Sequence, residues 1–263
     1  MRPSSARIMR GEVWAERLKA LLATGPTDPI AWMDRNTSLL KYDAHSRVGL
    51  LQLCDQLCYL KLYCSKFTGQ QLMLRMGYGR GFRSFDRAIE LSAKQILVPQ
   101  PLACIVIPGG MMLLTEGISS AENLHTMWLG ELEQKRAETL LRAAGLTLAK
   151  LHSANYAHGD CKWSNLVWSG QQIHLVDLEA VARVRRGSKK LTRDVARFTL
   201  NAEELGVAHE QFDQFLGVYL DYMGMRRESL INRVMPVLRM LRARHLIKYG
   251  QQGHYLLGES SGN

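Results

Sequence analysis

His158-Gly159-Asp160-Cys161-Lys162-Trp163-Ser164-Asn165, followed after an apolar run by Leu175-Val176-Asp177-Leu178-Glu179, is the stretch on which the fold turns. It places an Asp, a Lys two residues on and an Asn three beyond that in one loop, with a second Asp shortly downstream. Moving a γ-phosphoryl group requires a carboxylate to orient the attacking hydroxyl and hard oxygen ligands to hold Mg²⁺ across the phosphates. The D-x-K-x-x-N plus D spacing supplies that set. Asp160 then reads as the base, Asn165 and Asp177 as metal ligands, and Lys162 as the cation that neutralises the transferring group. Any basic protein carries Asp, Lys and Asn in some loop, so the second Asp decides against a purely structural one. Gln172-Ile173-His174-Leu175-Val176-Asp177 reads as a strand that delivers a carboxylate at its end, and a long amphipathic segment precedes the motif.

A chain of 263 residues, 46% hydrophobic and 22% charged, is ordinary globular composition and makes one large domain or two lobes. The net charge of +10 and a pI near 9.5 call for an anionic partner, and charge alone does not choose among nucleotide, nucleic acid, phospholipid headgroup or phosphorylated glycan. Five cysteines without paired zinc spacing read as reduced thiols of a cytosolic compartment, with Cys54 and Cys58 in an apolar, strand-like run. Residues 1–12 show no apolar leader core, and nowhere do eighteen uninterrupted apolar residues occur, so no membrane span is expected.

Residues 12–23 carry apolar residues at helical spacing before Gly25-Pro26, which predicts a short helical extension ahead of the first lobe. From Ser38 the period changes, and three antiparallel strands are expected over residues 38–42, 47–53 and 57–63. In the third, Lys61 shares a face with Tyr59 and Tyr63. A lysine in an apolar strand is costly unless its ammonium meets anions, and nucleotide phosphates are such anions. Lys66 is the reserve candidate. A helix over residues 80–95, with Phe82, Phe85, Ile89 and Ala93 on one stripe, offers Asp86 or Glu90 as an acidic partner for that lysine, or neither. Residues 102–107 and 111–115 form a hairpin about Gly109-Gly110, ending at Glu116 and Gly117, where a hinge would offer backbone groups to adenine. Beyond it the chain turns helical over residues 129–155, 191–205, 209–223 and 229–249.

The loop motif, Val176-Asp177-Leu178-Glu179, Ile96-Leu97-Val98-Pro99-Gln100-Pro101 and the segment from Leu191 to Phe198 together resemble the bacterial lipopolysaccharide kinase family, the Kdo and heptose kinases of the protein-kinase-like superfamily. The resemblance covers roughly residues 35–248. It implies an α+β, two-lobed protein-kinase-like fold: a helical extension over 1–34, a small antiparallel sheet lobe over 35–117 and a mainly helical lobe over 118–263. It also implies ATP with Mg²⁺, and an inner-core sugar of lipopolysaccharide as acceptor at the cytoplasmic face of the inner membrane, with peripheral contact to that membrane and no nucleic acid as partner. By the same resemblance His158 and Asp194 are structural, Asp194 bracing the catalytic loop. The sequence departs from kinases at large in lacking a G-x-G-x-x-G phosphate loop, only Gly49 standing in the first hairpin, and Ser84 stands where the family places its helix Glu.

Arg183, Arg185, Arg186, Lys189, Lys190 and Arg193 follow the second Asp with no acid among them, where a substrate segment would lie. Beside a phosphoryl-transfer loop, docking of an anionic glycolipid is the stronger reading of that run, with Arg183, Arg185 and Arg186 nearest the acceptor. A second basic run, Arg226 to Lys248, divides evenly between docking and a solvated face. Two alternatives stay open. A kinase of a small alcohol such as an aminoglycoside or choline shares the H-G-D loop but needs an acidic acceptor pocket. A weak pseudokinase is opposed by the intact Asp160, Asn165 and Asp177.

Overall fold

The computed structural model describes residues 6–130, 132–250 and 254–258. Residues 1–5, part of the stretch read for a leader, and Glu131, inside the segment read as the start of the long helix, lie outside the described residues. So do the other ends of the 1–34 and 118–263 lobe assignments that fall beyond these bounds. The chain divides into two compact units, one of residues 1–93 and 98–119 and the other of residues 94–97 and 120–263.

The first unit is built on a six-stranded antiparallel sheet. Its elements run β1 (Arg7–Arg10), α1 (Glu12–Leu22), α2 (Pro29–Asn36), β2 (Ser38–Asp43), β3 (Ser46–Leu53), β4 (Gln56–Cys64), α3 (Thr68–Arg75), α4 (Arg80–Ser92), β5 (Pro101–Ile107) and β6 (Gly110–Glu116), with sheet order β1-β5-β6-β4-β3-β2. Both faces are covered. On one, Cys58, Leu60 and Leu62 of β4 and Ala103, Ile105 and Ile107 of β5 pack with Leu18 and Leu22 of α1 and Trp32 and Met33 of α2. On the other, Cys104, Val106, Met111 and Leu113 pack with Leu74 of α3 and Phe82 and Phe85 of α4. A strand with apolar neighbours on both faces has no reason to alternate, and β5 accordingly reads Ala-Cys-Ile-Val-Ile without a polar residue.

Three expectations change here. The N-terminal stretch is no extension: β1 pairs antiparallel with β5, and α1 contributes Ala15, Leu18 and Leu22 to the core. The buried stripe of α4 is Phe82, Phe85, Ala88 and Leu91, whereas Ile89 faces solvent, because the sheet lies one residue round the helix from the assumed face. Cys54 sits not in a strand but in the tight β3–β4 turn, where it takes φ +50°, while Cys58 is buried in β4. Gly49 has a packing duty: a Cβ there would stand 2.2 Å from Thr37 Oγ1, so the strand admits Thr37 where a side chain would clash.

The second unit is mainly helical, with β7 (Glu122–Asn123), α5 (Leu124–Leu129), α6 (Gln134–Ser153), β8 (Tyr156–Ala157), β9 (Leu166–Trp168), β10 (Ile173–Leu175), β11 (Ala182–Arg183), α7 (Lys189–Glu204), α8 (His209–Met223) and α9 (Arg227–Tyr249). Two small sheets, β10-β9-β7 and β11-β8, carry the loops between helices. Leu97 belongs here too, since its carbonyl accepts the Leu175 amide at 2.9 Å. An aromatic cluster runs through a largely aliphatic core. Trp163 packs on Phe198 (5.1 Å between ring centroids), Phe198 stacks on Phe215 at 4.0 Å, and Trp128 meets Trp163 edge-on at 5.3 Å. Among the described residues no helix is long and apolar enough to cross a membrane.

Helices α6 and α8 approach closely because Gly145 has no side chain: a Cβ there would stand 2.4 Å from the Phe215 carbonyl oxygen. The obstacle is backbone of a packed helix and has no rotamer to yield. Gly145→Ala should therefore destabilise the protein by about 1–3 kcal/mol despite the better helix propensity of alanine. Denaturant titration at constant m-value reads it, and an unchanged or raised midpoint would show that the helices separate without cost.

Candidate active site

The loop of the second unit is fixed from beneath by one carboxylate. Asp194, buried in the first turns of α7, accepts the His158 amide on Oδ2 (2.6 Å) and the Gly159 amide on Oδ1 (2.9 Å). His152 of α6 adds its Nε2 at 3.3 Å and reaches the Tyr219 hydroxyl through Nδ1 at 2.8 Å. Gly159 takes φ +81°, and a Cβ there would stand 2.6 Å from the Ala180 carbonyl oxygen, so this turn accepts glycine alone without strain. His158 is fully buried and donates Nε2–H to the Val176 carbonyl at 3.1 Å. Burial pushes its pKa down against the pull of Asp194, which keeps the ring neutral and in the tautomer that makes this bond.

Past the turn, Trp163 pins the loop to α7. Its amide donates to Asn201 Oδ1 (3.0 Å) and its indole N–H to the Phe198 carbonyl (3.1 Å). Asn165 follows in a short 3₁₀ turn, its Nδ2 donating to the Asp160 carbonyl at 2.8 Å and lying 3.3 Å from Asp160 Oδ2. The Asn165 carbonyl in turn accepts the Val176 amide at 3.0 Å, which draws the end of β10, and with it Asp177, alongside the loop. Asp177 is left-handed, with φ 60° and ψ 57°, a conformation that turns its side chain out of the strand direction and that non-glycine residues adopt rarely.

The Asp160 carboxylate is held by two cations, Lys162 at 3.1 Å on Oδ2 and Arg197 on Oδ1. Burial pushes its pKa up, but the hydrogen bond and charge of Lys162, joined by those of Arg197, outweigh it, and the group stays below the usual carboxylate range. With the folded value depressed, the ionised form is secure at neutral pH and is lost only as pH falls below that range. Arg197 and His152 went unassigned in the sequence. The signal for Arg197 was its place three residues after Asp194, on the same side of a helix. His152 offered none.

Arg183 pairs with Tyr156 across the β8–β11 ladder, and the Val184 amide donates to the Asn155 carbonyl at 2.8 Å. The basic segment thus starts beside the strand that leads into the loop, with Arg183, Arg185 and Arg186 exposed. The structure so brings together Asp160, Lys162, Asn165, Asp177, His158 and Asp194, with the arginine run entering next to them. Lys61, Glu116 and Gly117 belong to the first unit. Lys61 lies opposite Leu113 and Val48 in the sheet, on the face that α4 covers, its ammonium 5.1 Å from the Tyr63 ring centroid. Of its two candidate partners, Asp86 pairs with Arg10 Nε at 3.2 Å. Glu90 pairs with Arg87. The Glu116 amide donates to the Gln100 carbonyl and the Gly117 amide to the Leu57 carbonyl, each at 2.9 Å, so both N–H groups are engaged within the first unit.

Among the described residues no three His, Cys, Asp or Glu cluster as a metal site. Mg²⁺ in phosphoryl transfer needs no such cluster, being held by one or two protein oxygens together with phosphates and water. The donor set of Asn165 and Asp177, neutral amide and carboxylate joined through the Val176 amide, fits that requirement.

Residues 40–219 match the family model described as lipopolysaccharide kinase (Kdo/WaaP) family. Among solved structures the chain is similar to "WaaP in complex with acyl carrier protein", with a TM-score of 0.59 at 14% identity over 89% of this chain and 97% of that one, a likeness of fold. It also matches a BubR1 kinase domain, with a TM-score of 0.43 at 11% identity over 56% of this chain and 46% of that one. A probable bifunctional tRNA threonylcarbamoyladenosine biosynthesis protein of Methanocorpusculum labreanum is 42% identical over 40 residues, which is 15% of this chain and only 8% of that relative's length.

Asp194 compensates two buried amides at once, and asparagine offers a single oxygen in its place. Asp194→Asn should cost about 1–3 kcal/mol for each donor left without a partner. The test is thermal or denaturant unfolding, with amide exchange at His158 and Gly159 as local readout. Unchanged stability with both amides still protected would mean that the loop is held from elsewhere.

Proposed function

The chain belongs to the lipopolysaccharide kinase (Kdo/WaaP) family, and on that premise we propose that it transfers the γ-phosphoryl group of ATP to a hydroxyl of an inner-core sugar, heptose or Kdo, of lipopolysaccharide at the cytoplasmic face of the inner membrane. The observation that carries this reading is the Asp160 carboxylate, held ionised and oriented within one loop that also presents Asn165.

In the proposed mechanism Asp160 accepts a hydrogen bond from the acceptor hydroxyl and takes its proton as the oxygen attacks phosphorus. Lys162 lies against Asp160, and its proposed role is to neutralise charge on the transferring group. Arg197 acts through Asp160, holding the carboxylate in position and ionised. Asn165 and Asp177 would hold Mg²⁺, which when bound neutralises the phosphates. Lys61 is the proposed ligand of the nucleotide phosphates in the first unit. Arg183, Arg185 and Arg186 are the proposed contacts for an acceptor that bears carboxylates and phosphates. The solved WaaP was captured with acyl carrier protein, and that protein is carried to this chain as a candidate partner.

Removing the base leaves nucleotide contacts untouched. Asp160→Ala should lower kcat by about 10²- to 10⁴-fold with ATP affinity nearly unchanged. Phosphoryl transfer from ATP to core oligosaccharide and nucleotide titration measure the two separately, and a variant retaining more than a few per cent of turnover removes Asp160 from the role.

Arg185→Gln/Arg186→Gln should raise KM for delipidated core oligosaccharide severalfold without changing KM for ATP. The effect should fade with added salt, since exposed charges are screened over about 8 Å at physiological ionic strength. Acceptor kinetics that stay unchanged at low salt would make this run a solvated face and favour a small-alcohol acceptor.

A further inference from the structure

Helix α3 turns most of its apolar side chains outward. A helix lying on a sheet normally turns them inward, but here a glutamine reaches the sheet beside one buried leucine. Gln71 Nε2 donates to the Ile107 carbonyl at 2.6 Å while its Oε1 accepts Ser65 Oγ at 2.8 Å, and Gln70 Oε1 accepts the Lys66 amide at 2.8 Å. Leu74 is the one buried apolar side chain of the helix. At 3.6 residues per turn, Leu72 and Met76 lie one above the other on the side nearly opposite Leu74. Phe67, Leu72, Met73, Met76 and Tyr78 are each more than half exposed. Single exposed apolar residues need no explanation, but five within a dozen positions do.

Along the chain the charge about this helix has one sign. Residues 65–85 contain Lys66, Arg75, Arg80 and Arg83 and no Asp or Glu. Lys66 and Arg75, both exposed, stand at the two ends of α3. An apolar ridge with aromatic residues at its margins and cations at its ends is the composition of elements that settle into the headgroup layer of an anionic bilayer. A two-turn helix with its flanks is small beside the about 20–30 residues per side of a stable protein interface. Shallow insertion combined with attraction to anionic headgroups requires no such area.

We propose that the outward face of α3, from Phe67 to Tyr78, docks the protein on a bilayer surface bearing anionic phospholipid headgroups. This rests on the reading of the chain as a kinase of a membrane-resident acceptor, and it assigns the membrane contact to the first unit, separately from the arginine run that follows Asp177.

Co-sedimentation of the full chain with vesicles of phosphatidylcholine alone, and of phosphatidylcholine mixed with phosphatidylglycerol, tests it. The parent should bind the mixed vesicles and leave the neutral ones. Leu72→Ser/Met76→Ser should weaken that binding by about tenfold or more. Arg75→Gln should weaken it less, by an amount that disappears at high salt. Equal binding to both vesicle types, or a double variant that binds as the parent does, overturns the proposal. So does finding that these residues instead hold two copies of the chain together, or hold acyl carrier protein, while vesicles go unbound. Phosphorylation of delipidated core oligosaccharide in solution should be the same in the double variant and the parent, which shows both to be folded. A parent inactive on that acceptor counts against the kinase reading and leaves the vesicle result standing.

Discussion

One buried carboxylate, that of Asp194, sets the geometry of the loop above it. A buried charge is costly unless it is hydrogen-bonded, and two amides at a tight turn are costly unless they find acceptors. Asp194 and the His158–Gly159 turn satisfy each other, the carboxylate gaining two donors and each amide an acceptor. The left-handed Gly159 lets the chain leave that contact at the angle which brings Asp160 out of the buried layer. The backbone of Asp160 is thus placed in part by residues that make no contact with its side chain.

The same helix sets its charge. Arg197 lies nearly one turn beyond Asp194 on α7, so a single rigid element holds the loop backbone through a carboxylate and its acidic side chain through a guanidinium. The aromatic run Trp163–Phe198–Phe215 adds a third attachment, again through α7. Any tilt of α7 would therefore move the orientation and the ionisation of Asp160 together. The arginine run enters from another direction, through the β8–β11 pairing, and is free of that coupling.

Much of this was legible in the residues because local chemistry and fold agree. Alternation marked β2, β3 and β4, and the loop motif with its second Asp marked, through spacing and residue type alone, residues that the fold brings together. What was hidden has physical causes. Strand β1 is four residues with an arginine at each end, too short to show a period. Helix α2 begins at Asp28-Pro29, a cap and first-turn proline, and its Asp-Pro pair reads equally as the end of the preceding helix. Helix α3 has its apolar residues on the solvent side, so periodicity points the wrong way. The stripe of α4 was displaced by one residue because Phe-x-x-Phe fits two neighbouring faces equally well. Arg10, which takes Asp86, lies in sequence far from it, and only a fold can bring them together.

The bond between Leu97 and Leu175 has a consequence for how the chain is made. Residues 94–97 belong to the second unit although β5 and β6 of the first unit follow them, so no single scission of the backbone yields the two units intact. During synthesis the whole sheet can be complete once residue 119 has emerged, while Leu97 still awaits its partner. The first unit must therefore fold around a short segment that stays uncommitted until Leu175 leaves the ribosome, and a fragment ending at the sheet would carry that segment with nothing to bind.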